Sequence, residues 1–62
     1  MFFFERKSKT PLYQQLYEQL RQQITEGLFP KGGKLPPTRE LAVEYHLSRN
    51  TVIQAYQQLE IE

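Results

Sequence analysis

The sequence predicts a mainly α-helical domain built from three helices. Apolar residues recur three or four positions apart in two stretches, 12–24 and 52–59, as they do along one face of a helix. A stretch rich in proline and glycine, residues 28–37, separates them and predicts a loop. A threonine or a serine lies at the start of each predicted helix as a candidate N-cap.

Length and composition restrict the domain and its chemistry. A chain of 62 residues forms one small domain, which buries only about 60% of the surface that its unfolded chain exposes. The absence of cysteine excludes disulfides and thiolate metal sites, and the one histidine, His46, cannot hold a metal alone. No apolar run approaches the length of a membrane span, and the aromatic run Phe2–Phe4 precedes the charged residues, the reverse of a secretory signal. We therefore expect no metal site, no membrane partner and a cytoplasmic location.

The first helix is predicted over residues 11–26. Thr10 is a candidate N-cap, and Pro11 suits the first helical position because proline has no amide hydrogen to leave unpaired there. Gly27 is predicted to end the helix. The apolar stripe consists of Leu12, Leu16, Leu20 and Ile24, with Tyr13 and Tyr17 beside it.

The second and third helices are predicted over residues 38–45 and 48–60. Thr38 and Ser48 are their candidate N-caps. The inward-facing residues are predicted to be Leu41, Ala42 and Tyr45 in the second helix, and Val52, Ala55, Tyr56 and Leu59 in the third.

The short connection between these two helices predicts a helix-turn-helix, in which the second helix enters the major groove of DNA. Ala42 is small enough to let the helices approach closely, Leu47 can fill the space between them, and Val52 lies on the inner face of the third helix. A helical hairpin without DNA binding is the alternative.

The face of the third helix opposite its packing residues carries hydrogen-bonding side chains. Arg49 matches the two acceptors of guanine, and Asn50 can pair with adenine through two hydrogen bonds. Ile53, predicted to be exposed beside them, suits a thymine methyl group or else packs against chain outside these residues. The hydroxyls of Ser48 and Thr51 can cap the helix and reach a phosphate. An ordinary solvated helix start is the alternative.

Three further residues are candidate DNA contacts. Arg39 lies in the first turn of the second helix, where a positive charge is mildly unfavourable for the helix dipole, so a phosphate or base contact would explain it. Lys34 and Thr38 are possible phosphate contacts. An exposed arginine and a solvated lysine in a loop are the alternatives.

Four segments together resemble the N-terminal DNA-binding domain of GntR-family bacterial transcription regulators. They are residues 11–16 (PLYQQL), 33–42 (GKLPPTRELA), 47–52 (LSRNTV) and 55–60 (AYQQLE). The versions SRNTV and AYQQL look most like the MocR branch of the family, and the YtrA-like branch is second.

The resemblance implies a winged helix-turn-helix that binds, as a homodimer, a double-stranded DNA operator with two half-sites. It implies that residues 1–62 are a single such domain and a fragment, with the wing hairpin truncated. No cofactor is expected in this fragment. If the whole protein is MocR-like, the resemblance implies pyridoxal phosphate in another domain.

The family's DNA contacts map onto five positions, and two other residues depart from the family pattern. Other members often have a basic or polar residue where this chain has Ile53, and glycine where it has His46. We interpret His46 as a left-handed turn residue, which histidine tolerates better than most residues. The mapped positions are Arg39, Ser48, Arg49, Asn50 and Thr51.

Two other classes of function are alternatives to DNA binding. An enzyme is disfavoured because the chain has no cysteine or aspartate, and its one histidine lies in a turn. A small helical module for protein interaction or dimerisation is the serious alternative, with Phe2–Phe4 in a strand or a core of the whole protein, or left exposed. Its interface would use the glutamines of the first helix, Gln14, Gln15, Gln19, Gln22 and Gln23.

Overall fold

A computed structural model of the protein describes residues 2–29 and 35–61, except for the side chain of residue 61. No strand occurs in these two ranges, which confirms the mainly α-helical class predicted from the sequence. None of the helices is long and apolar enough to cross a membrane within the part of the chain that is described. The helices are α1 (Leu12–Thr25), α2 (Thr38–Glu44) and α3 (Arg49–Ile61).

The first helix begins one residue later than its predicted cap implies, and the second begins one residue earlier. Pro11 and Pro37 are the N-cap residues of α1 and α2, with ψ angles of 151° and 144°, and neither helix start has a side-chain cap. The predictions of Thr10 and Thr38 as N-caps are therefore wrong. The reason is that the φ of proline suits both an extended residue and a helical one, so the helical ψ values begin only after it.

The end of α1 is the glycine turn that the sequence predicts. Gly27 has a φ of +82°, and the Leu28 amide donates to the Gln23 carbonyl at 2.9 Å. This six-residue hydrogen bond pairs one of the last carbonyls of the helix.

The hydrophobic core draws on all three helices and on the segment before them. Both α1 and α2 pack against α3, so α3 is the central element of the domain. The stripe predicted on α1 is wrong at its last position, because Ile24 is 38% exposed and only the residues before it are covered. The buried residues are Phe2, Leu16, Tyr17, Leu20, Leu41, Ala42, Leu47, Val52 and Ala55.

The connection from α2 to α3 has the predicted construction. Leu47 is buried between the helices, and its amide donates to the Ala42 carbonyl at 2.9 Å. His46 has a φ of 57°, which confirms it as the left-handed residue of the turn. A residue with a side chain is strained in this conformation, so the turn depends on the contacts that hold it.

The aromatic segment at the start of the chain packs on the domain. Phe2 is buried, whereas the next residue, Phe3, is 77% exposed. The rings of Phe2 and Phe4 meet the Tyr45 ring edge-on, with centroids 5.5 and 5.7 Å away. Of the alternatives left open by the sequence, the core position holds for Phe2 and exposure holds for Phe3.

Candidate nucleic-acid interface

The first turn of α3 is closed by a pair of hydroxyl groups. The Ser48 Oγ accepts a hydrogen bond from the Thr51 amide at 3.1 Å and lies 2.7 Å from the Thr51 Oγ1. Ser48 is therefore the N-cap that the sequence predicts. One of the two hydroxyl hydrogens is used between the pair, so the other can donate to an outside acceptor such as a phosphate oxygen.

Arg49 and Asn50 protrude from this turn. Both are exposed, and no described residue forms a hydrogen bond or an ion pair with either side chain. On the opposite face, Val52 and Ala55 are fully buried. The backbone that carries the two side chains is thus held by a cap and by the core, while their polar groups are free to bind.

Ile53 is less exposed than the sequence predicts. It is half-buried, although it lies outside the hydrophobic cluster. A helical side chain leans toward the preceding turn, which here carries Arg49 and Asn50. Ile53 is therefore only partly exposed, and it stays adjacent to the two polar side chains.

The start of α2 brings a second arginine to the surface. Arg39 is exposed, and none of the described side chains or carbonyls engages it. Thr38 is half-buried in the first turn of the same helix. Lys34 lies outside the described residues.

Tyr56 connects the segment just before α2 to α3. Its hydroxyl donates a hydrogen bond to the Pro36 carbonyl, two residues before α2 begins. Burial raises the pKa of the Tyr56 hydroxyl above its ordinary value of 10.0, so the group keeps its proton to higher pH than an exposed tyrosine does. The packing stripe placed Tyr56 in the core, but the partner of its hydroxyl was not predicted. The sequence indicates only that the hydroxyl of a packed tyrosine needs a hydrogen-bond partner, and it does not identify that partner.

Arg6 reaches the turn between α2 and α3 from the other end of the chain. Its Nη2 donates to the Tyr45 carbonyl at 3.2 Å and to the His46 carbonyl at 2.9 Å. No pattern in the sequence indicates this contact, because about forty residues separate the partners.

Two of the glutamines that the alternative places in a dimer face form hydrogen bonds within the chain. The side-chain amides of Gln15 and Gln19 are bonded to the backbone of Glu5 and Phe3. These two glutamines therefore hold the segment before α1, which counts against their use in the dimer face of the alternative. The amide of Gln14 bonds to Glu18 within α1.

The geometry suits a groove rather than an enclosed small ligand. The free polar groups stand on an exposed helix start, and no group of three histidine or acidic side chains is placed to hold a metal among the described residues. A helix start with an arginine, an amide and a free hydroxyl hydrogen can read base edges and contact phosphate at the same time.

The sequence matches the family of bacterial regulatory proteins called gntR over residues 12–62. It is 43% identical over 60 residues to the uncharacterized HTH-type transcriptional regulator YhdI of Bacillus subtilis, covering 97% of this chain and 13% of that protein. It is 42% identical over 59 residues to the probable rhizopine catabolism regulatory protein MocR of Rhizobium meliloti, covering 95% and 12%.

A shorter relative is covered more fully. The chain is 39% identical over 62 residues to the HTH-type transcriptional repressor YtrA of Bacillus subtilis, covering 100% of this chain and 48% of that protein. The chain thus spans less than half the length of each of these relatives. No solved structure matches it.

Proposed function

The chain belongs to the gntR family of bacterial regulatory proteins and is a helix-turn-helix DNA-binding domain of a transcription regulator; from this we propose that α3 is its recognition helix and lies in the major groove of an operator. The observation that carries the proposal is the contrast within the first turn of α3. Its backbone is held from inside by the Ser48 cap and by Val52, whereas Arg49 and Asn50 are exposed and unengaged by described residues. That contrast presents hydrogen-bonding groups on a rigid support.

We assign the base contacts to α3. The guanidinium of Arg49 donates to the O6 and N7 of a guanine, and the amide of Asn50 pairs with the N6 and N7 of an adenine. Ile53, half-buried and one turn further on, contacts the methyl group of a thymine.

We assign the phosphate contacts to the two helix starts. Ser48 and Thr51 share one hydrogen bond and keep one hydroxyl hydrogen for a phosphate oxygen. Arg39 and Thr38 lie in the first turn of α2, which Tyr56 connects to α3 through Pro36. Lys34 is proposed as a further phosphate contact.

The assembly and location of the whole protein are also proposals. We propose a homodimer bound to an operator with two half-sites, because paired half-sites match the two-fold symmetry of dimeric helix-turn-helix proteins. We also propose that the protein acts in the cytoplasm, where a bacterial transcription regulator meets its DNA. A whole protein of the MocR branch would carry pyridoxal phosphate outside these 62 residues, and no residue described above is proposed to hold it.

An interaction module without DNA binding is the second candidate. Partly exposed apolar side chains near the end of α1 favour it, since Ile24 is 38% and Leu28 is 65% exposed. Against it, Gln15 and Gln19 are bonded within the chain and do not form the expected outer face.

Selection of bound duplexes from a random pool tests the proposal. We expect enrichment of a short motif that contains guanine and adenine, and a steep loss of affinity as salt rises, because phosphate contacts release counterions. Failure to enrich any motif, together with binding that is insensitive to salt, would overturn the proposal and favour the interaction module. Arg49→Ala is the matched variant, and it should lose the enriched guanine.

A further inference from the structure

We propose that the segment Phe2–Arg6 braces the turn between α2 and α3, and that Arg6 is a positioning residue for the recognition helix. The inference rests on the proposed function of α3 but is carried by different contacts. These contacts join the start of the chain to the turn from which α3 begins.

Two glutamines hold the segment against α1. The Gln19 amide donates to the Phe3 carbonyl at 2.7 Å and accepts from the Phe3 amide at 2.9 Å. The Gln15 amide pairs in the same way with Glu5, at 3.0 and 2.9 Å. Each side chain therefore bonds to both backbone groups of one residue, as a neighbouring strand would.

The spacing of these pairs gives the segment a register. Four residues of helix rise about 6 Å, and two residues of extended chain span about 6.6 Å. Gln15 and Gln19 are four apart, and their partners Glu5 and Phe3 are two apart in reversed order. The segment thus runs antiparallel to α1 with both pairs in step, and a slip would break both.

The alternate side chains of the segment contact the end of α2. Phe2 and Phe4 meet the ring of Tyr45, the C-cap residue of α2, in edge contacts at 5.5 and 5.7 Å. The aromatic contacts and the glutamine pairs place the following residue, Arg6, beside the turn.

Arg6 then bonds to the turn itself. Its Nη2 donates to the carbonyls of Tyr45 and His46, at 3.2 and 2.9 Å. The last carbonyls of a helix lack intrahelical partners and carry a partial negative charge, so a guanidinium there is favourable. His46 has a φ of 57°, a conformation that costs free energy for any residue with a side chain. The bonds from Arg6 offset that cost.

The turn determines the position of the base-reading residues. Arg49 follows His46 by three positions, and only Leu47 and Ser48 intervene. If His46 leaves the left-handed conformation, the direction of the chain into α3 changes. Arg6 thereby stabilises the binding-competent position of α3 without touching DNA.

The experiment compares Arg6→Gln with Lys7→Gln. Lys7 is exposed and has no hydrogen bond or ion pair to the described residues, so both variants lose one positive charge but only the first loses the turn contacts. Amide exchange followed by NMR on the free protein is the first measurement. We expect exchange of the Leu47 amide, bonded to the Ala42 carbonyl at 2.9 Å, to become about tenfold faster in Arg6→Gln. Lys7→Gln should not change it.

Affinity for a duplex selected from the random pool is the second measurement. We expect about a tenfold loss for Arg6→Gln and a smaller loss for Lys7→Gln, and the loss for Arg6→Gln should shrink when His46→Gly is added. Glycine adopts the left-handed conformation without strain, so the turn then depends less on Arg6. Arg6→Lys, which keeps the charge, serves if Arg6→Gln does not fold, and it should show the same effects in weaker form.

Three results would overturn the brace. They are unchanged exchange of the Leu47 amide, equal losses of affinity for Arg6→Gln and Lys7→Gln, or an Arg6→Gln loss that His46→Gly leaves intact. If the unsubstituted protein binds no duplex, the proposed function fails, while the exchange measurement still decides whether Arg6 holds the turn.

Discussion

Arg49 combines an exposed guanidinium with a backbone position that the core holds. The buried Val52 and Ala55 on the opposite side of α3 keep the helix from rotating about its axis. The guanidinium of Arg49 therefore stays on the outer face, and no neighbouring side chain takes its place. A fixed approach to a guanine edge is what a two-bond contact requires.

Substitution of this one side chain should reduce specific binding without affecting the fold. We predict that Arg49→Ala weakens binding to the selected duplex by about 1–3 kcal/mol, the range for a two-bond base contact. Fluorescence anisotropy measures the affinity, and circular dichroism should show the same helical content. Lys7→Ala is the control, since it removes an equal charge from an exposed side chain that has no hydrogen bond or ion pair to the described residues. Equal affinity of the Arg49→Ala and unsubstituted proteins would mean that α3 does not read bases through this residue.

Three helix starts in this chain look alike in sequence and differ in structure. Each has a hydroxyl residue that is a candidate cap, but prolines take the cap position at α1 and α2, and only Ser48 at α3 caps with its side chain. Loss of a side-chain cap typically costs about 1 kcal/mol. We therefore predict that Ser48→Ala lowers the free energy of unfolding by about 1 kcal/mol, while Thr38→Ala lowers it by only a few tenths.

Urea denaturation of the two variants measures this difference. Equal effects of Ser48→Ala and Thr38→Ala would restore Thr38 as a cap and contradict the start of α2 at that residue. A smaller effect of Ser48→Ala than of Thr38→Ala would contradict the hydroxyl pair at α3.

The helices could be predicted because each pattern is local. The spacing of Leu16, Leu20, Val52 and Ala55, and a histidine at a turn, depend on neighbours within a few residues, and the structure bears them out. The proline starts were missed because both cap and first-turn assignments satisfy the same dihedral angle.

The hydrogen bonds that hold the candidate site in place could not be predicted, because their partners are far apart in the sequence. Arg6 reaches the carbonyls of Tyr45 and His46, and Tyr56 reaches the carbonyl of Pro36, which is twenty residues away. These partners are backbone carbonyls, which every residue has, so residue type does not indicate which carbonyl accepts the hydrogen bond. The exposure of Arg49 and Asn50 could be predicted, because it follows from the helical period alone.

The bond from Tyr56 to Pro36 joins α3 to the start of α2 and should give stability a pH dependence. Burial raises the pKa of Tyr56 in the folded state above the ordinary 10.0. The folded state therefore holds this proton more tightly than the unfolded chain, so the contribution is complete below pH 10.0 and is lost as pH rises through the folded-state pKa.

Tyr56→Phe isolates this contribution. We predict a loss of about 1 kcal/mol near neutral pH, from the missing hydrogen bond, and a shallower fall of stability in the alkaline range. Thermal unfolding across that range measures both effects, with Tyr13→Phe as the control for a tyrosine with no hydrogen bond to described residues. A fall that is as steep in Tyr56→Phe as in the unsubstituted protein would show that this proton is not linked to folding.

For the whole molecule, electrostatic attraction to DNA depends on where charges lie rather than on their sum. The net charge is only +1, so a uniform field around the protein is weak. The attraction must come from a few cations near the proposed groove, among them Arg39 and Arg49, which described residues leave unpaired. Each phosphate contact adds a countable increment to the dependence of affinity on salt.

We predict that the logarithm of the binding constant falls linearly with the logarithm of salt concentration, and that Arg39→Ala makes the slope shallower by about 1, the share of one phosphate contact. Arg39→Ala should weaken binding to selected and unselected duplexes alike, because a phosphate contact carries no sequence information. Arg49→Ala should instead lose the preference for the selected duplex. A titration of each variant against both duplexes at several salt concentrations separates the two roles. If Arg39→Ala left the slope unchanged and reduced only the preference, Arg39 would be a base contact, and the first turn of α2 would approach the groove more closely than the phosphate assignment allows.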